Sequence, residues 1–149
     1  MIFEKFPDNS RVWIYAADRF LKAEEEVFVK RNLDAFVDQW AAHGSELAAA
    51  GVILEHTFIV LIADESNVSA SGCSIDTSVR FIKDLGKELN IDFLNRLSIV
   101  IEKDGELKHI HFNDLSSYPD WNMYDASVKN LKEFRENWKQ LIKESSFIR

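Results

Sequence analysis

Asp104-Gly105, set between two arms that alternate apolar and polar residues, constrains the fold more than any other pair in the chain. A two-residue hairpin loop of the favoured kind needs positive φ at both positions, which glycine adopts freely and aspartate tolerates. The pair therefore predicts strands over residues 96–103 and 106–112, with Lys103 opposite Glu106, Ile101 opposite Lys108, Ile99 opposite Ile110 and Leu97 opposite Phe112. In that register Leu97, Ile99, Ile101, Ile110 and Phe112 share one face, the expected core side. Ser98, Val100, Leu107, His109 and His111 share the other, an expected outer face that is half apolar.

Periodicity divides the rest. After an arm at 1–10, residues 11–17 are rich in β-branched and aromatic side chains and read as a strand. Val29, Leu33, Phe36, Val37 and Trp40 recur at helical spacing, so 23–40 reads as a helix that ends near His43-Gly44. Glu24, Glu25 and Glu26 fall in its first turn, where the helix dipole favours carboxylates. Residues 47–54 and 57–64 read as two strands, the second (TFIVLIAD) nearly continuous in apolar residues and therefore central. No Gly or Pro marks a turn between them, so one long bent strand also fits. Ile75, Val79, Ile82, Leu85 and Leu89 make 75–89 the clearest helix, with Arg80, Lys83 and Asp84 outward. Residues 113–125 read as a loop, and 128–142 as a C-terminal amphipathic helix.

The order β-α-β-β-α-β-β-α is that of a single α+β domain over 1–149. Its first six elements match a ferredoxin-like (split βαβ) sandwich, extended by one hairpin strand and the C-terminal helix. A chain of 149 residues with 46% hydrophobic content can bury roughly 68–70% of its unfolded surface without staples. The single cysteine excludes an internal disulfide and fits a reducing, cytoplasmic setting. The first residues lack the apolar region of a signal peptide, and no apolar run approaches the ~20 residues of a membrane span. A net charge of −7 disfavours nucleic acid and anionic membranes as partners. No cofactor is implied and no metal: His109 and His111, at i and i+2, read as titrating surface imidazoles.

Residues 64–76 are the segment in which chemistry is expected. An apolar strand ends in Asp64 and Glu65, a loop of small hydroxyl residues follows, and Gly72-Cys73-Ser74 opens the strongest helix. Free N–H groups at a helix start bind anions and acceptors, and Gly72 lets a ligand approach the backbone. The same position lowers the pKa of a thiol such as that of Cys73. The plain alternative is a capped loop, with Ser74 as N-cap, Asp76 in the first turn and Cys73 as a small buried hydrophobe. There is no nucleotide P-loop, and a Cys-x5-Arg phosphatase loop would need arginine where Val79 stands.

Val12-Trp13-Ile14-Tyr15 with Asp18-Arg19, Trp40-x2-His43-Gly44, Asp64-Glu65-Ser66 and Gly72-Cys73-Ser74-Ile75-Asp76 together resemble a family of short uncharacterised bacterial proteins. Members are sometimes labelled ABC transporter ATPases, a label that a chain without a P-loop does not support. The resemblance spans roughly 11–112 and directs attention to Trp40, His43, Asp64, Glu65, Gly72, Cys73, Ser74 and Asp76. Cys73, His43 and Asp64 could form a nucleophile, base and orienter, while Trp40, Glu65, Ser71, Gly72, Ser74 and Asp76 would line a ligand site. Two functions follow as expectations. One is a small-molecule or anion site at 69–76, with thiol chemistry as its catalytic version. The other is a non-enzymatic module that self-associates or binds a partner through an open sheet face.

Overall fold

A computed structural model describes residues 3–42, 48–65 and 72–147, with 41, 42 and 72–75 given as backbone alone. Strand β1 (Arg11–Ala16) leads to helix α1 (Ala23–Ala42), strands β2 (Ala48–Leu54) and β3 (Phe58–Asp64), and helix α2 (Gly72–Leu89). Strands β4 (Ser98–Lys103) and β5 (Glu106–His111) follow, then a 3-10 turn (Phe112–Ser117) and β6 (Asn122–Tyr124). Helix α3 (Leu131–Asn137), β7 (Lys139–Leu141) and a second 3-10 turn (Ile142–Glu144) complete the order.

The fold class is α+β. Strand β3 lies between β1 and β2 and runs antiparallel to both, so β1 and β2 are parallel and α1 connects them. That much is the split βαβ unit. The expected ferredoxin-like closure, with β4 beside β1, is not what forms: β4 belongs to a second sheet of order β5-β4-β6-β7. The flank of β1 is taken by the C-terminal part of the chain. Val12 N–H donates to the Lys129 carbonyl (3.0 Å), Leu131 N–H donates to that of Ser10 (2.9 Å), and Arg11 bridges Asn130. Strand β4, apolar on both faces, is buried instead as a layer between two neighbours.

The layers explain the long apolar run. One face of the first sheet (Ile59, Leu61, Ala63) packs on Val29, Leu33, Trp40, Ile82 and Leu85 of the two long helices. The other face (Val12, Phe58, Val60, Ile62) packs on Val100, Tyr124, Leu131 and Trp138. Strand β3 is therefore covered on both sides, and no residue from Phe58 to Ala63 exceeds 1% exposure. Beyond the second sheet, Ile101 and Met123 pack on Leu115 and Ile142 of the 3-10 turns.

The Asp104-Gly105 hairpin has the expected register, Ile99 opposite Ile110, with φ of +51° and +87° at its two loop residues. Its expected outer face is corrected. Val100 is 1% exposed and stands between the sheets, so the middle of this face is covered by the first sheet, while His111 at its end is exposed. Leu97 and Phe112, expected in the core, are 57% and 38% exposed, because they lie past the strand ends where neither layer reaches. The 128–142 helix is also corrected. Asn130 caps α3 by accepting from the Glu133 N–H (2.8 Å), and after Asn137 the chain turns into β7 to pair with β6. The expected 113–125 loop contains a 3-10 turn and β6 itself. Between β2 and β3 the chain does turn, with Glu55 and His56 at φ +54° and +59° and Thr57 N–H bonded to the Leu54 carbonyl (3.1 Å).

Both long helices are tied at one corner. Glu25, third residue of α1, accepts from the Lys22 N–H (2.8 Å), the return half of a capping box. It also takes a two-pronged bond from Arg19 (2.8 Å each), and Arg19 donates onward to the Leu89 carbonyl at the end of α2 (3.1 Å). Helix α2 closes in a Schellman motif, with Asn90 at φ +56° and Ile91 N–H bonded to the Gly86 carbonyl (2.9 Å). A Cβ on residue 86 would stand 2.4 Å from the Ile91 carbonyl oxygen, so the turn admits only glycine there.

Among the described residues Glu25 and His109, with Glu102, are shifted down and shape the acid response. The Arg19 guanidinium, then the Lys22 N–H, hold the Glu25 carboxyl down at about 2. Half-buried His109 bonds through Nε2 to the Thr57 hydroxyl (3.0 Å) and meets Phe20 edge-on (4.3 Å between centroids). Burial pushes its pKa below 6.5, opposed by the Ala17 carbonyl and Asp18. A depressed histidine binds its proton more weakly in the folded state, so stability is complete above 6.5 and declines as pH falls through the folded pKa. A depressed carboxylate contributes above 4.5 and is lost as pH falls towards 2. Urea midpoints are expected to fall in these two windows, His109→Gln removing the upper decline. Glu25→Gln is expected to cost ~1–2 kcal/mol at neutral pH, part of the ion pair being solvent-screened, and to reduce the lower decline, the rest of which belongs to Glu102. A profile unchanged by both variants overturns this assignment.

Candidate functional site

The end of the first sheet at which β3 finishes brings together β1, α1 and α2. Arg11 of β1 stands opposite Ala63, and Ala48 of β2 opposite Asp64, so all three strands meet here. Helix α1, returning from the other end of β1, places Trp40 of its last turns here, and α2 starts here at Gly72.

Alternation sorts the side chains. Trp13 lies on the helix face of β1, and its ring meets Trp40 at 5.4 Å and 68°. Trp40 stacks on Phe36 (5.7 Å), which stacks on Phe81 of α2 (4.4 Å), so an aromatic array joins the strand to both helices. Trp40 is 4% exposed, and its indole Nε1–H has no hydrogen-bond partner among the described residues. Leaving such a donor buried and unpaired costs ~1–3 kcal/mol. Arg11 carries its guanidinium 4.9 Å from the Trp13 ring centroid and 3.3 Å from Glu65. Nearly two turns into α2 and towards the start of β3, buried Ser78 bonds the Tyr15 phenol, whose pKa burial raises against the hydrogen bond from Ser78 and the charge of Arg96.

Of the residues expected from the sequence, Trp40 and Glu65 come to this end of the sheet together. Asp64, half-buried, takes the strand positions of Val60 and Ile62, on the face turned to the second sheet. Asp76 is exposed on α2. Gly72, Cys73 and Ser74 are described as helical backbone only, and His43 and Ser71 lie outside the described residues. The Cys73–His43–Asp64 set therefore has one described side chain. Sequence reasoning missed Arg11 as a site residue, as well as Trp13. The signal was available: Arg11, Trp13 and Tyr15 alternate along one face of a strand whose start must lie near the end of its antiparallel neighbour.

The two histidines of β5 are not a surface pair. His109 is held between the sheets, and only His111 is exposed, its Nδ1 accepting from the Asn113 N–H (3.0 Å). Two grooves open away from this end. One of about 380 Å³ lies at the close of α2, among Asp18, Lys83, Lys87 and Phe93, and one of about 280 Å³ lies between α1 and β2. Among the described residues no helix is long and apolar enough to cross a membrane. No family model, curated protein or solved structure matches this chain.

Proposed function

We propose that the β3 end of the first sheet binds a small molecule that presents a hydrogen-bond acceptor beside a planar or apolar group. The observation that carries this reading is the buried indole N–H of Trp40, which has no partner among the described residues. A ligand acceptor removes the penalty of that donor, and the first N–H groups of α2, which have no partner within their own helix, offer further donors. Trp13 supplies a flat wall. Arg11 and Glu65, already paired with each other, leave the rim close to neutral, which favours a neutral or weakly charged ligand over a doubly charged phosphate. The site works in a reducing cytoplasm, where Cys73 stays a thiol.

The test uses the four indole N–H resonances of the nitrogen-labelled protein, with Trp40→Phe identifying one of them. Titration with N-methylacetamide, a neutral acceptor, is expected to move the Trp40 indole signal downfield together with the first amides of α2. Acetate, which brings charge, is expected to act more weakly. In Trp40→Phe the α2 amides should stop responding. A Trp40 signal that ignores both probes, or that moves without those amides, overturns the reading. Labelling of Cys73 by a thiol reagent separates the catalytic version: a rate independent of pH across neutrality marks a lowered thiol pKa, and an inert thiol leaves binding alone.

A further inference from the structure

Four sheet edges exist among the described residues, and three carry ordinary protection against pairing with another chain. Strand β1 is covered by the segment around Lys129–Leu131, β5 carries Glu106 and Lys108, and β7 has three residues beginning with Lys139. Strand β2 is different. Its seven residues, Ala-Ala-Ala-Gly-Val-Ile-Leu, include no charge and no proline, and among the described residues it pairs with β3 on one side only. A long uncharged edge offers a row of backbone donors and acceptors to any extended strand.

We propose that β2 pairs antiparallel with β2 of a second copy of this chain, about a two-fold axis at Gly51, making one six-stranded sheet. The strand itself argues for a copy as its partner. Pairing about Gly51 sets Ala48 against Leu54, Ala49 against Ile53 and Ala50 against Val52. Every large side chain then meets an alanine, and the smallest residue lies on the axis. The faces also agree. Ala49 and Ile53 pack towards the helices, while Ala50, Val52 and Leu54 pack towards the second sheet. Antiparallel partners point to the same face, so helix layer meets helix layer and second sheet meets second sheet. Beside the axis, the groove of about 280 Å³ between α1 and β2 is lined by Gly51, Leu33 and Val27, the last 60% exposed. The two-fold axis sets the two grooves face to face and covers both Val27 side chains. The adjacent Lys30 is already paired with Asp34 (3.1 Å), so no unpaired cation is brought to the axis from that position.

Sedimentation and light scattering of the full chain test it. The expected mass is twice 17.2 kDa at high micromolar concentration, falling to the single chain on dilution. Ala48 and Val27 are exposed, so Ala48→Asp and Val27→Asp should fold as judged by circular dichroism, and each is expected to weaken the dimer about tenfold or more. In the unaltered protein, amides of Ala48–Leu54 that do not bond to β3 should gain exchange protection with concentration. A single-chain mass at every concentration overturns the proposal, as does a dimer that keeps its affinity in both variants or leaves the β2 amides unprotected.

Discussion

Replacing Phe58 with alanine is expected to lower the free energy of unfolding by about 3–5 kcal/mol, with Phe58→Leu costing less. Phe58 opens β3 on the face towards the second sheet, is 1% exposed, and meets Tyr124 at 5.4 Å and Trp138 at 5.3 Å. Those two rings are 4.7 Å apart, and Trp138 stacks on Phe134 (4.7 Å), which reaches Phe3 of the N-terminal arm (6.3 Å). The phenyl ring is thus where β3, β6 and the C-terminal segment converge. The gap left by alanine cannot close by moving β3, because β1 and β2 hold that strand from both sides. Nor does Tyr124 move freely: its hydroxyl donates to Glu55 (3.1 Å), and burial raises its pKa, so it stays a neutral donor. Urea denaturation followed by tryptophan fluorescence reads the loss. Because Phe58 begins β3 and the Trp40 site lies at its end, the Trp40 indole resonance should hold its position in the folded variant. A loss below about 1 kcal/mol would show that the two sheets do not depend on this ring.

Short-range signals in the sequence were legible. Asp104-Gly105 and the alternation beside it specify a hairpin whose partners are within a few residues, and the observed register is the expected one. The central place of β3 was readable because a strand covered on both faces has no polar alternation to show. What was not legible joins residues far apart in sequence. The Ser98/Val100/His109 face is half polar and looks solvated; that it is covered depends on Val60 of the other sheet and Thr57 of the turn before it. Val128, Leu131, Phe134 and Trp138 keep 3–4 spacing whether the chain stays helical or turns into β7. In both cases Leu131, Phe134 and Trp138 face the first sheet, so spacing alone does not decide between them. The site divides in the same way. Glu65 and Trp40 were visible as a strand end and a helix face, whereas the Arg11–Glu65 and Trp13–Trp40 contacts arise only when β1 folds against β3 and α1 returns over it. Glu25 was visible as a first-turn carboxylate, but not its bond to Arg19 or the corner that this bond holds together.

Ile82→Ala is expected to cost about 2–5 kcal/mol, the second large effect in the molecule. Ile82 is fully buried and, with Leu85, is where α2 packs into the helix-side core; Arg80, Lys83 and Asp84 are exposed, as the helical spacing predicts. Val79 is only half-buried, so Val79→Ala should cost less, and Arg80→Ala should stay within about half a kcal/mol of the parent. The close of α2 is fixed by the Gly86–Ile91 bond and by Arg19 on the Leu89 carbonyl. Ahead of Ile82, Ser78 bonds the Tyr15 phenol and Phe81 stacks on Phe36. The cavity left by alanine should therefore loosen the helix from its start. In hydrogen exchange, amides of residues 77–81 are expected to lose protection before those of 86–89. Because α2 begins at the proposed ligand site, the response of its first amides to N-methylacetamide should weaken in the same variant, although no residue touching the ligand has changed. Uniform loss of protection along α2 would show instead that the helix detaches as one unit, and a cost below about half a kcal/mol would place Ile82 outside the core.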